Sequence, residues 1–133
     1  MPIQALAILW SVPFGAFLLR RHITENRRWF VIGVLFGLVV SPASFGLYGL
    51  YFLGPWSAVL GMLGLPLALF HGAPGFLMAR HLHWLESAGV VHGIRDHMVI
   101  EAINGITWCA FYGMLGAIAD VLEKRRKPNF ASV

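Results

Sequence analysis

Charge is scarce in this chain. Only 12% of its 133 residues are Asp, Glu, Lys or Arg, while 58% are hydrophobic. Soluble domains of ordinary composition carry about a quarter of their residues charged. So little charge cannot cover a water-facing surface, and a soluble globular domain is excluded. Acidic residues are the scarcer sign, six against ten basic ones. Cysteine is nearly absent: Cys109 stands alone inside an apolar run, which excludes an intrachain disulfide and a CxxC site. Ahead of the first apolar run there is no charged segment, so residues 1–19 lack the layout of a signal peptide and are expected to stay as a helix. No polar stretch is long enough for a soluble domain, and no repeat of useful length occurs.

The charges that exist are bunched. Arg20, Arg21, Arg27 and Arg28 form one group; Lys124, Arg125, Arg126 and Lys127 form another; Arg80, Glu86, Arg95 and Asp96 lie between. Each group flanks a hydrophobic run, where basic side chains meet lipid phosphates and set orientation. The net charge of +4 therefore points to a membrane. Nucleic acid is not an expected partner, because no basic patch interleaves with exposed aromatics on a soluble fold.

Four apolar runs emerge, at residues 2–19, 29–53, 55–79 and 98–122, followed by a polar tail at 123–133. The expected fold is an all-α integral membrane protein: one domain over residues 1–133, with about four transmembrane helices in a small bundle. The membrane expected is a bacterial inner membrane or that of an organelle. Run one carries Pro13, and run two carries Pro42 and is long enough at 1.5 Å per residue to tilt or kink. Gly54 and Pro55 make a connection so short that the third helix returns beside the second. Tyr48, Tyr51 and Trp56 around that turn mark a headgroup level. The segment RHLHWLESAGVVHGIRDH, between runs three and four, alternates polar and apolar residues and suits an interfacial position. Orientation is not fixed by charge. Four crossings put the basic first loop and the basic tail on opposite sides, and an odd number reconciles them.

Small residues at fourfold spacing let helices approach closely in lipid. Gly33 and Gly37 form such a pair, as do Ser57 and Gly61; Gly105, Cys109, Gly113 and Ala117 make a longer stripe. The stripes serve either packing within the bundle or a subunit interface, in a homo-oligomer or a larger complex.

Polar candidates cluster later in the chain. His81, His83, His92, His97 and Glu101 are candidate ligands for a divalent metal, with His97 and Glu101 four apart on one helix face. His81 and His83 share a face only in an extended segment. Glu101 and Asn104 form a candidate proton site within a span, where an ionisable group needs a partner or water. His71 is the deepest histidine and a candidate axial ligand for haem; its alternative is a hydrogen bond to the Phe70 carbonyl, which Pro74 leaves free.

The stretch RHLHW, Arg80 to Trp84, resembles part of the cytochrome b anchor subunit of succinate dehydrogenase, whose pattern is His-x3-Gly-x-Arg-His-Leu-x-Trp-Asp. Here His71 lies nine residues before Arg80 instead of six, and Leu85 replaces the aspartate, so no haem or quinone site is carried over. The size and four spans are similar to those of small multidrug exporters, which need a carboxylate in the first span; residues 2–19 contain none. The expected function is that of a multi-pass membrane protein acting through helix contacts, as an accessory subunit of a larger complex. The alternatives are a small membrane enzyme or redox protein with a histidine site, and a proton-linked transporter using Glu101.

Overall fold

The computed structural model describes residues 11, 14–18, 22–24, 27–85, 91 and 93–126. The described chain is helical throughout its regular elements. Residues 14–18 belong to a first helix, α1; apart from Ser11, also helical, the rest of run one, with Pro13, lies outside the described residues. Three long helices follow: α2 (Arg28–Gly49), α3 (Pro55–His81) and α4 (Gly93–Arg126). All three are long and apolar enough to cross a membrane.

The α2–α3 connection forms as its sequence dictates. One 3-10 turn, Leu50–Phe52, ends α2. Gly54 then takes φ 148°, which side chains rarely adopt, and Pro55 opens α3 at a position where its missing N–H is no loss. Pro42 is accommodated inside α2, and Pro66 and Pro74 inside α3.

The end of α3 is closed by two backbone bonds: His83 N–H donates to the Arg80 carbonyl at 3.2 Å and Trp84 N–H to the Ala79 carbonyl at 2.9 Å. His83 sits at φ 55°, in the left-handed position where such a motif usually has glycine. His81 and His83 thus lie on a helix end and a tight turn, not on the extended strand that would align them.

α2 and α4 pack most extensively, and they run antiparallel. Trp29 meets Asp120, Val34 meets Cys109, and Ser41 meets Glu101 and Asn104. Glycine makes this approach feasible. A Cβ at Gly37 would collide with the Trp108 backbone, and one at Gly33 with the Tyr112 carbonyl. The stripe on α4 faces the same seam: Cys109 Sγ–H donates to the Val34 carbonyl at 3.2 Å, Gly113 abuts Val34, and Gly105 faces Leu38. Ala117 lines a crevice with Arg27 and Asp120. Gly61 packs on the Tyr51 backbone, while Ser57 Oγ donates to the Gly54 carbonyl at 3.0 Å. The small residues are therefore used inside this chain.

Contacts between α2 and α3 also run antiparallel, from Tyr51–Gly61 to Phe45–Gly72. So do those between α3 and α4, from His71–Trp108 to Ala79–Ile100. Three axes cannot all be antiparallel to one another. The three helices therefore meet at angles to one another, around Ser41, Ser44, His71 and Asn104.

This arrangement places the start of α2 against the end of α4. Arg28 Nη1 lies 3.8 Å from Glu123 Oε1, and Arg27 and Lys124 border one crevice. The described members of the two basic groups that alternating crossings would separate, Arg27 and Arg28 on one side and Lys124 on the other, lie at the same end of the bundle.

Candidate functional site

Most buried polar side chains in the described residues sit where the three helices meet: Ser41, Ser44, His71 and Asn104. Two linked networks hold them.

The first is built on His71, which is 5% exposed. Side chains on a helix lean toward its N-terminus, so the ring reaches back one turn and Nδ1 lies 2.9 Å from the Leu67 carbonyl. It also lies 3.0 Å from Ser44 Oγ, whose own hydrogen is donated to the Val40 carbonyl at 2.6 Å. Both neighbours can then only accept, so Nδ1 carries the proton. Nε2 is left as the acceptor, and Tyr112 O–H donates to it at 3.1 Å. Trp108 packs edge-on with its ring centroid 4.9 Å from that of His71, and Phe36 packs edge-on against Tyr112. The imidazole is neutral in this pattern and both nitrogens are used. The carbonyl it takes belongs to Leu67, not Phe70, because the ring's reach is four residues back from position 71.

The second network begins where α3 and α4 cross. Gly75 N–H donates to Asn104 Oδ1 at 2.6 Å. The carbonyl that would ordinarily take that N–H is His71 O, four residues earlier, and it accepts Trp108 Nε1–H at 2.7 Å. α4 thus serves both halves of one backbone pair of α3. A Cβ on Gly75 would strike the Ile100 carbonyl.

The direction of every bond follows. Gly75 can only donate, so Asn104 turns its oxygen to it and its Nδ2 to Ser41 Oγ, 3.2 Å away. Ser41 then has its hydrogen free for Glu101 Oε1 at 3.3 Å. A chain of donors from the α3 backbone ends on the Glu101 carboxyl, each link polarising the next.

The predicted candidates divide accordingly. Asn104 is wholly buried and Glu101 is partly exposed; the chain of donors joins them. His97 is exposed and shares with Glu101 the rim of an apolar cleft. His81 and His83 are exposed at the end of α3, and His92 lies outside the described residues. Among the described residues no three His, Cys, Asp or Glu side chains gather as a metal site.

Sequence reading missed Ser41, Ser44, Trp108 and Tyr112, none of which is unusual in a membrane helix. It also missed Asp120, which is 7% exposed. Its two carboxyl oxygens accept the Trp29 and Phe30 N–H groups, each at 2.9 Å, and Glu123 Oε2 accepts Trp29 Nε1–H at 2.8 Å. These are the bonds an N-cap makes, supplied from another helix. A signal existed: the first turn of α2 has no acidic residue and its N-cap, Arg27, makes no side-chain bond.

Comparison with known protein families, characterised proteins and solved structures finds no match.

Proposed function

We propose that this chain is an integral membrane protein that acts through helix contacts, as an accessory subunit of a larger membrane complex or as a homo-oligomer. The observation that carries this reading is the closed hydrogen-bonding of His71. Its Nδ1 proton goes to Leu67 and Ser44 and its Nε2 accepts from Tyr112. A haem iron or other metal at Nε2 would have to displace the Tyr112 hydroxyl, which supports a role for the histidine in holding the bundle.

The outer surface supports the same reading. Trp56 is 91% exposed, Ile94 80% and Ile106 75%. In water such a surface aggregates; in a bilayer it meets lipid and neighbouring helices. In the same proposal α2 and α4 cross as an antiparallel pair and α3 lies obliquely against them. The shared end, with Arg27, Arg28, Lys124, Arg125 and Arg126, faces the cytoplasm, as basic residues beside short loops do.

Native mass spectrometry of the full chain released from nanodiscs tests the reading. A defined oligomer or a stoichiometric complex is expected. A monomer at every lipid composition overturns it, and a Soret band in the purified protein revives the redox alternative.

A further inference from the structure

Beside the Glu101 end of the donor chain, a cleft of about 600 Å³ opens between the three helices. That volume falls within the range of small-molecule sites, roughly 300–1,000 Å³. Its walls are apolar, with Phe45 from α2, Gly72, Ala73 and Phe76 from α3, and Ile100 from α4. Gly72 is part of the shape, since a Cβ there would strike the Phe45 ring. Among the lining residues only Glu101 and His97 ionise, and both come from one turn of α4; α2 and α3 contribute none.

A carboxyl group facing an apolar cleft inside a membrane bundle needs a partner. Ser41 occupies Oε1. The Asn104 side chain also bonds this carboxyl, and the exposed His97 imidazole, its electrostatic partner, stands one turn away on the same rim, so these groups make the one ionisable corner of an otherwise apolar cleft. The complementary head is an ammonium. It offers three N–H donors and no acceptor, which suits the Glu101 carboxyl. An alcohol offers one donor and no charge, and a fatty acid brings like charge against Glu101.

We propose that this cleft binds a single-chain amphiphile with a primary amine head: the ammonium on Glu101, the chain along Phe45, Ala73 and Phe76. A diacyl phospholipid is not the occupant proposed, since its phosphate would face the Glu101 carboxylate.

The test uses the full chain in phosphatidylcholine nanodiscs and three nitroxide-labelled C18 probes: an amine, the matching alcohol and the matching fatty acid. Electron paramagnetic resonance reads the immobilised fraction of each. The amine is expected to bind at one per chain, about tenfold tighter than the alcohol, from one charge-assisted contact. The fatty acid is expected to show no immobilised component above that of lipid. Glu101→Gln is expected to bring the amine to within about twofold of the alcohol, on the same principle. Ala73→Trp, at an exposed wall position that touches neither network, fills the cleft and abolishes immobilisation of the amine while circular dichroism stays unchanged. Equal binding of amine and alcohol, amine binding unaffected by Ala73→Trp, or preference for the fatty acid overturns the proposal.

Discussion

Replacing Asn104 by leucine tests whether α4 holds the backbone of α3. The two side chains are close in size, so the cavity contribution is small and the polar one dominates. Asn104 accepts the 2.6 Å bond from Gly75 N–H, donates at 3.2 Å to Ser41 Oγ, and also bonds the Glu101 carboxyl. Side-chain bonds between membrane helices average about 0.6 kcal/mol and reach about 1.7. The Gly75 bond belongs at the upper end, because it is short and fully buried, and at the His71 carbonyl, the usual acceptor of that N–H, Trp108 Nε1 competes at 2.7 Å. A buried N–H left without a partner costs about 1–3 kcal/mol. The expected loss for Asn104→Leu is therefore about 2–3 kcal/mol. The paired arrangement makes a sharper statement. Trp108→Phe frees the His71 carbonyl, so in the double variant Gly75 N–H and His71 O can bond each other. The double variant should be more stable than the sum of the singles predicts, by about 1–2 kcal/mol, the worth of the restored bond and the relieved donor. Reversible SDS unfolding in mixed micelles, followed by far-ultraviolet circular dichroism, measures all four proteins. Strict additivity, or a single-variant loss below about 0.5 kcal/mol, well under the bond's expected worth, refutes the role given to this crossing.

Gly37→Val drives a branched side chain into the Trp108 backbone; the α2–α4 seam should open with a loss of about 3 kcal/mol or failure to fold, seen in the same unfolding assay. Asp120→Ala removes the cap from Trp29 and Phe30 and is expected to cost about 2 kcal/mol, with faster hydrogen exchange confined to the first turn of α2 as its signature. His83→Gly relieves a side chain at φ 55° and should stabilise by about 1 kcal/mol, measured as a shift in the unfolding midpoint; a destabilised variant would mean that the imidazole makes a needed contact. In a Cys109→Ser background, Thr24→Cys and Arg125→Cys should react with an impermeant maleimide from one side of the membrane and Trp56→Cys from the other. Labelling of Thr24→Cys and Arg125→Cys from opposite sides contradicts the shared basic end.

The helices themselves were legible. Runs at 29–53, 55–79 and 98–122 correspond to α2 with its closing turn, α3, and the middle of α4. Hydropathy is a property of single segments, and so is the break at Gly54–Pro55. Of the small-residue stripes, Gly33, Gly37 and Gly113 lie where α2 and α4 approach each other. Pairing direction was not legible, because it depends on which backbone groups of one helix find partners on another. Asp120 shows the difficulty: in sequence it is an acidic residue near the end of an apolar run, and only the fold brings it to Trp29. Asn104 and Glu101 stood out as polar groups in a span, yet Ser41 and Trp108, which complete the same networks, look like ordinary membrane-helix residues.

The cap on α2 also sets an order of assembly. The N–H groups of Trp29 and Phe30 wait for a carboxylate made about ninety residues later, at sequence separations of 91 and 90. During synthesis α2 and α3 leave the ribosome first, and the α2 end must rest on water or lipid headgroups until α4 arrives. The last long helix is thus the one that completes the first. A chain cut before Asp120 would keep the hydrophobicity of α2 and α3 and leave the first turn of α2 without its cap, so the truncated product would hold two long helices with one end permanently open.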